Sequence, residues 1–540
     1  MAGGNRRQRA PSPWAPFASP IFRALWIAQF VSNLGTWMQT VGAQWMLVST
    51  PAAEVLVPLV QTATTLPIML LSLPSGVVAD LVDRRRLLLA TQSMMAAAVA
   101  ILAALTAAQL TTPTVLLILL FLIGCGQAFT APAWQAIQPE LVPREQIPAA
   151  AALTSMSLNA ARAVGPAVAG VLVAISGPTL VFTLNAVSFA GIVVVLLLWK
   201  RSSAEQTLAA ERPLAALQAG HRYVRSSPVV RRILFRAALF ILPASALWGL
   251  LPVVASSGLG LSSSGYGLML GALGAGAVLG ALTLSAWQSA FRQNTLLALA
   301  AVGFAAATAV AALVPDVVVV LIGLTVGGMS WLLALATLNA SMQLSLPAWV
   351  RARGLSVYLL IFMGGQALGS TMWGLVAGST STVVAMLISA GLLVVSGLSA
   401  WWWPLHPQTG QLDVSPSAHW PEPALVFEPE PRDGPVLVLS TYRVAPEDEP
   451  AFLVAMQRQA RSRQRTGAAL WRLYRHLERE HTFVEAFLVR SWDEHLRQHH
   501  VRLTLVDQRV EEEVRRYAEG PPLVEHLIAV NFDEITRRGV

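Results

Sequence analysis

The chain has 540 residues, of which 55% are hydrophobic and 12% charged, with a formal net charge of +8. An ordinary soluble domain carries about 25% charge, so the nearly charge-free stretch over 24–403 excludes a soluble globular fold for most of the chain. A single cysteine, Cys125, excludes an intrachain disulfide and a cysteine metal cluster. The basic balance comes from arginines at the ends of apolar runs, which orient membrane helices and do not suggest nucleic acid.

Residues 1–20 contain Arg6, Arg7, Arg9 and four prolines. They lack the apolar core and small-residue cleavage site of a signal peptide and are expected to form a cytoplasmic tail. A bilayer core takes about 20 apolar residues per helix. Runs of that size fall near 24–49, 55–79, 87–108, 115–137, 149–176, 178–199, 233–256, 265–287, 294–314, 316–342, 355–378 and 381–403, which makes twelve. The expected class is therefore an all-α membrane protein of two six-helix pseudo-repeats, 21–199 and 233–403, joined by a central cytoplasmic loop over 200–232. With the N-terminus inside, the inner loops hold Arg84, Arg85, Arg86, Arg144, the cluster from Lys200 to Arg236, Arg292, Arg351 and Arg353. The outer loops hold acids such as Glu54 and Asp316 but no Lys or Arg. The positive-inside rule thus places both termini in the cytoplasm. In the central loop Leu214, Leu217, His221 and Val224 share a helical face beside Arg222 and Arg225, which predicts a helix lying on the inner membrane surface.

Residues 404–434 are rich in proline and acids and form a linker. After it the period changes. A strand is expected over 436–444, a helix over 447–465, a hairpin over 469–477 and 482–490, a helix over 501–517 and a strand over 523–530. That β-α-β-β-α-β order predicts a soluble ferredoxin-like α+β domain over 435–530, with a short tail over 531–540.

Residues 76–86 read GVVADLVDRRR between two apolar runs. Arg84, Arg85 and Arg86 hold a helix end in water, and Asp80 and Asp83 can face them or a helix N-terminus, giving a latch that can be made and broken. Arg85 and Arg86 are expected to substitute for Arg84. In the first helix Gln29, Asn33 and Trp37 are four apart and share a face suited to an organic substrate, with Gln127, Trp134 and Asn185 as further cavity candidates. Interhelical hydrogen bonding explains the same amides equally well. Residues 159–170, NAARAVGPAVAG, carry Arg162, Gly165, Pro166 and Gly170: glycines for close helix contact, a proline bend and a costly membrane arginine. Gly276/Gly280, Gly323/Gly327, Gly365/Gly369 and Gly374/Gly378 are read as packing pairs. His495 and His499 lie four apart with His500 beside them, but HLRQH lacks the glutamate of the metalloprotease motif. They are read as residues of a solvated helix, so no metal, cofactor or catalytic group is assigned.

These motifs carry a family resemblance. Gly76, Asp80, Arg84 and Arg85 resemble the loop signature between the second and third helices of the major facilitator superfamily, with Leu81 in place of its arginine and Asp83 in place of its second glycine. ARAVGP at 161–166 resembles the fifth-helix motif of its antiporters. With GTWMQTVGAQW at 35–45, DRRRLLL at 83–89 and PAWQAIQPELVP at 132–143, the chain is similar to the bacterial transmembrane secretion effector branch, which includes enterobactin-exporter-like proteins. FLVRSWDEHLRQH at 487–499 resembles the fused tail of part of that branch, itself similar to antibiotic-biosynthesis-monooxygenase-like dimeric α+β barrels. The resemblance implies a multi-pass protein of the bacterial cytoplasmic membrane that exports a drug-like or siderophore-like molecule by proton-coupled alternating access, with dimerisation through the tail. The fourth helix lacks the arginine of many drug exporters, and no mid-membrane acid stands out as a proton carrier. An importer or uniporter on the same fold, and a membrane-anchored enzyme with its chemistry in the tail, remain open alternatives. No Walker-type loop supports an ATP-driven pump.

Overall fold

The computed structural model describes Ser12 and residues 14–199, 213–406 and 429–530, together with Thr409, 413–415, Ser417, 419–420 and 425–427 of the linker. The expected tails over 1–11 and 531–540, residues 200–212 of the central loop and the side chain of Asp80 lie outside the described residues. The chain divides into two compact units: Met1–Thr207, Arg236–Thr337 and Leu359–Pro404 in the first, Leu208–Phe235, Leu338–Tyr358 and Leu405–Val540 in the second.

The helices run α1 (Pro20–Val48), α2 (Ala53–Leu81), α3 (Arg84–Ala107), α4 (Pro113–Leu141), α5 (Ile147–Leu198), α6 (Pro213–Ser226), α7 (Pro228–Val253), α8 (Ser263–Ala290), α9 (Gln293–Leu313), α10 (Val317–Leu344), α11 (Arg351–Ser379) and α12 (Thr382–Trp402). Ten helices among the described residues are long and apolar enough to cross a membrane, and α1 is not one of them. Gln29, Asn33, Gln39 and Gln44 dilute its apolar character. The 52-residue α5 is counted once, although Gly177 breaks it with φ 72° and ψ 178° and Pro178 follows. A left-handed φ is strained for any residue with a Cβ, which is why glycine stands at the break. Side-chain caps set several starts. Ser19 accepts from Phe22 N at 3.3 Å, Thr112 from Val115 N at 3.3 Å and Ser381 from Val384 N at 3.2 Å.

The first unit has two apolar centres in its N-terminal half. One joins Leu47, Val57, Val60, Met95, Leu102, Leu116 and Phe182. The other joins Phe22, Leu25, Leu88, Ile137, Leu153 and Leu196. Polar side chains inside this unit are paired across helices: Asn185 Nδ2 donates to Gln39 Oε1 at 2.6 Å, and the Tyr266 hydroxyl to Gln44 Oε1 at 2.6 Å.

The second unit holds a four-stranded sheet of β1 (Val436–Arg443), β2 (Leu470–Arg475), β3 (Thr482–Val489) and β4 (Leu523–Ile528). Its order is β2-β3-β1-β4, with every neighbouring pair antiparallel. Alternate residues of β1 and β3 are buried, as an amphipathic strand with one covered face requires. The covering helices are α13 (Glu449–Thr466), α14 (Trp492–Arg497) continuing into a π turn at Gln498–Arg502, and α15 (Leu505–Arg515). The helix expected over 501–517 is therefore found as α15 with its start corrected to Leu505, and a separate helical segment, α14 with its π turn, precedes it. Each has its own start: Ser491 caps α14 and a Thr504–Asp507 capping box opens α15.

The helix expected in the central loop is present as α6. Within its unit α6 packs on α13. Tyr223 is buried, edge-on to Trp349 at 5.7 Å, and Arg222 pairs with Glu494, whereas His221 is exposed.

Beneath the sheet, Arg463 lies between Glu485 at 3.2 Å and Glu511 at 2.5 Å, all three buried. Gln459, Tyr442 and Trp471 donate further hydrogen bonds to Glu485. Arg463→Met should strand two buried carboxylates and destabilise this unit by about 3–5 kcal/mol. Arg458→Met, which breaks a more exposed pair with Glu513, should lose about 0–1 kcal/mol. Thermal unfolding of the full chain followed by circular dichroism checks the contrast.

Candidate functional site

The loop between α2 and α3 is built by charge. Asp83 caps α3, its Oδ1 accepting from Arg86 N at 2.9 Å. Arg84 Nη1 meets Glu140 Oε1 at the end of α4 at 2.9 Å. Arg85 donates to the Leu196 and Leu197 carbonyls at 2.8 and 3.0 Å, where the C-terminal end of α5 attracts a cation. Arg86 is exposed. The three arginines are thus not equivalent, contrary to the expectation that Arg85 and Arg86 stand in for Arg84. Glu140, which the sequence reading left out, is the partner in the arrangement described. A Cβ at Gly76 would meet nothing within 4 Å, so no close contact requires glycine there.

The fifth-helix glycines do meet close neighbours. A Cβ on Gly165 would sit 2.8 Å from Trp37 Cβ of α1. A Cβ on Gly170 would sit 2.8 Å from Gly267 Cα of α8, and one on Gly267 would sit 2.8 Å from both Gly170 Cα and Pro166 O. Here α5 and α8 touch backbone to backbone, which only small residues permit. A second contact joins α2 to α11 through Gln61 and Gln366 at 2.7 Å and Thr62 and Thr371 at 2.9 Å. Both contacts lie toward the ends of α2 and α8 remote from Arg84 and Arg292.

Beside the α5–α8 crossing is a narrow cavity of about 20 Å3, room for roughly one water molecule, lined by Trp37, Arg162, Pro166, Trp248, Trp331 and small residues of α8 and α10. The Arg162 guanidinium lies 5.4 Å over the Trp37 ring. Its Nε is buried without a hydrogen-bond partner among the described residues. The Trp248 and Trp331 rings meet edge-on at 5.4 Å, and Trp248 Nε1 is likewise buried and unpartnered. One helical turn apart on α1, Gln29 Nε2 donates to Asn33 Oδ1 at 3.0 Å, leaving Gln29 Oε1 and Asn33 Nδ2 without partners. Unpaired donors over aromatic faces suit an anionic or aromatic guest, since such groups are costly to bury unmatched.

A larger cavity, about 690 Å3, runs between α1 and α5 past Ile27, Val31, Leu184 and Val187. Those residues are all more than two-fifths exposed. An open, almost wholly apolar groove of this kind faces acyl chains and offers an organic ion nothing to bind.

The remaining cavity candidates go elsewhere. Asn185 is buried, with its amide bonded to Gln39 and to Ser188. Trp134 packs against the cluster of Leu88 and Ile137. Gln127 is half-buried on α4 and does not line the Arg162 cavity. Trp248 and Trp331 were missed. Their signal was a tryptophan inside an apolar run, since membrane tryptophans gather at the interfaces.

Gly267→Val should force α5 and α8 apart. Overpacking at such a site destabilises by about 1–3 kcal/mol. Gly271→Ala, whose Cβ would sit at an ordinary 3.5 Å from Ala167, should be neutral. Melting temperatures of the two detergent-solubilised variants check this.

Comparison with known proteins agrees with this architecture. The sequence profile of the transmembrane secretion effector family matches residues 11–534. The Staphyloferrin A transporter of Staphylococcus aureus (strain NCTC 8325 / PS 47) is 25% identical over 163 residues, which is 30% of this chain and 41% of that protein. The alignment therefore spans less than half of that relative. A variant of the nucleoside transporter NupG superposes with a TM-score of 0.59 at 15% identity, covering 71% of this chain and 99% of that one. A bacterial homolog of the human lysosomal transporter Spinster gives 0.57 at 15% identity, covering 72% and 97%. A POT family transporter gives 0.56 at 13%, covering 71% and 95%. At such identities the likeness is one of fold. The chain has the helical fold of major facilitator transporters and belongs to the transmembrane secretion effector family.

Proposed function

We propose that the chain is a secondary transporter that exports a small organic molecule, drug-like or siderophore-like, across the bacterial cytoplasmic membrane by proton-coupled alternating access. In this reading α1 is a span and α5 is two spans meeting at Gly177, which gives twelve helices in two bundles of six. The observation that carries the reading is the Arg162 cavity. It holds three tryptophans and the Arg162 guanidinium, whose buried Nε has no partner among the described residues, at the contact between the two halves, where transporters of this design bind cargo. A guest with an anionic group and a ring would satisfy Arg162 and stack on Trp37, Trp248 and Trp331. Gln29 and Asn33 would extend the site, with Gln127 as a polar neighbour, and the relative named for staphyloferrin A favours a siderophore-like cargo.

The contacts of α2 with α11 and of α5 with α8 correspond to closure on the outer side. The Asp83, Arg84, Arg85 and Glu140 loop then acts on the inner side, with Gly76, Asp80 and Arg86 in the same gate. The C-terminal unit is a ferredoxin-like module serving dimerisation. Leu527, Leu437, Leu488 and Leu470 share one row across the sheet face opposite the covering helices, and a second copy would cover it.

Efflux measured in cells lacking their own exporters tests the reading. A protected compound should accumulate less in cells carrying the chain, and Arg162→Met at normal abundance should reduce its export at least tenfold. Uptake into inverted vesicles, with and without a pH gradient, separates export from import. Unchanged export by Arg162→Met would remove the cavity from the mechanism.

The loop gives a smaller expectation. Glu140→Gln removes a partly hydrated pair worth about 1 kcal/mol. It should shift the rate several-fold and leave the orientation in the membrane intact, as read by accessibility labelling at residue 52.

A further inference from the structure

Three histidines meet inside the C-terminal unit, and nothing in the transport reading uses them. His495 closes the last turn of α14, His499 lies in the π turn that follows, and His526 points inward from β4. Their nitrogens lie within 4.8 Å of one another. The ring centroids are 4.7 Å apart for His495 and His499, and 4.9 Å apart for His495 and His526. His495 is fully buried, His499 nearly so and His526 half-buried. The solvated helix expected from the sequence is therefore corrected to a buried one.

We propose that His495, His499 and His526 form a three-imidazole binding site for a divalent transition-metal ion, of which Zn2+ is the representative.

The first support is orphaned donors. Both ring nitrogens of His495 and Nε2 of His499 are buried without a hydrogen-bond partner among the described residues. Gln498 lies near enough to favour a charged His495 slightly, yet neither His495 nitrogen makes a hydrogen bond of ordinary geometry. Buried polar atoms are almost always satisfied. One lone-pair nitrogen from each of His495 and His499 would be satisfied by a single ion, with His526 supplying the third ligand.

The second support is the ligand set. Imidazole suits zinc, copper, iron and nickel, and three protein ligands with an open fourth position is a recurring zinc arrangement. Zinc–nitrogen bonds of about 2.0–2.1 Å set tetrahedral donors about 3.4 Å apart, so the rings need close by only about an ångström. The half-buried side of His526 gives an entry path. A π turn inserted in a helix is itself a frequent mark of a functional site.

The third support is the surroundings. Trp492 packs on His495 at 5.3 Å, and Trp420 stands edge-on to His499 at 4.6 Å. These walls hold the rings in place, as outer-shell groups do around metals. Arg463 is nearby, but it lies between Glu485 and Glu511, so the trio leaves one net negative charge and does not repel a cation. An imidazole in its neutral form carries the lone pair that a metal needs.

The experiment uses the tag-free full chain in detergent, stripped with a chelator and titrated with Zn2+, the bound metal being counted after desalting. Co2+ replaces Zn2+ as an optical reporter. One ion per chain is expected, with a cobalt visible spectrum typical of nitrogen ligands. His499→Ala and His526→Gln should each weaken binding by more than the 10–100-fold that loss of an outer-shell partner causes. His500→Ala, at the exposed neighbouring ring, should leave binding unchanged. Because His495 is at the centre of the packing, His526→Gln on the edge strand serves as the variant that keeps the fold, verified by circular dichroism. Zn2+ should raise the melting temperature of the parent but not of His526→Gln. A parent chain that retains no zinc, or a folded His526→Gln that binds it as tightly, overturns the proposal.

Discussion

The approach of Gly170 to Gly267 fixes how α5 meets α8 in the first unit. In a bilayer the hydrophobic effect does not draw helices together, because lipid chains are as apolar as leucine. Helices associate there by close packing and by satisfying polar groups. At the α5–α8 crossing no methyl group fits between the backbones, so the two helices meet at one place and in one register. The same condition explains the amides. Gln39 answers Asn185, Gln44 answers Tyr266 and Gln61 answers Gln366, each across helices far apart in sequence. Polar side chains in this unit are therefore mostly fasteners, and those left unfastened stand out.

Much of this architecture was legible in the sequence because the bilayer imposes it. Apolar runs of the required length, arginines at one set of ends and a Gly-Pro break at 177–178 follow from hydration and from φ, which act locally. The tail elements were legible for a similar reason, since the alternation in β1 and β3 records one covered face. What failed were statements about pairing. Asn185 looked like a cavity amide because its partner Gln39 lies 146 residues away. Glu140 was passed over because nothing local shows that Arg84 will reach it. The start of α14 carried a signal, Ser491 three residues before Glu494, the spacing of a capping box. No periodicity announces a π turn, so the inward direction of His499 could not be read from spacing.

The second unit solves a different problem. It buries ions as well as apolar groups, and it matches each. Arg463 meets two carboxylates, Arg465 pairs with Asp507, and Arg222 and Arg502 share Glu494. Such networks add little net stability over an apolar core but are severe about what they exclude, since removing one member strands the others. They hold α6, α13, α14 and α15 in a fixed relation. The position of His495 and His499 is then set by Trp492 and Trp420 and not by the histidines themselves.

Two arginines show how burial separates structure from function. Arg463 is almost inaccessible, and its charge is opposed by Glu485 and Glu511, so it has no capacity left for a guest. Arg162 is less enclosed, lies over Trp37 and keeps a buried Nε with no partner among the described residues. A membrane arginine of that kind is retained against a steep desolvation cost. The Trp37 ring offsets part of that cost, and a guest sharing the charge, as the proposed cargo would, offsets more. The same reasoning applies to the histidines, whose orphaned nitrogens lie in a pocket open only on the half-buried side of His526. In both units the sites are recognised by the one place where the rule of satisfied polar groups is left open.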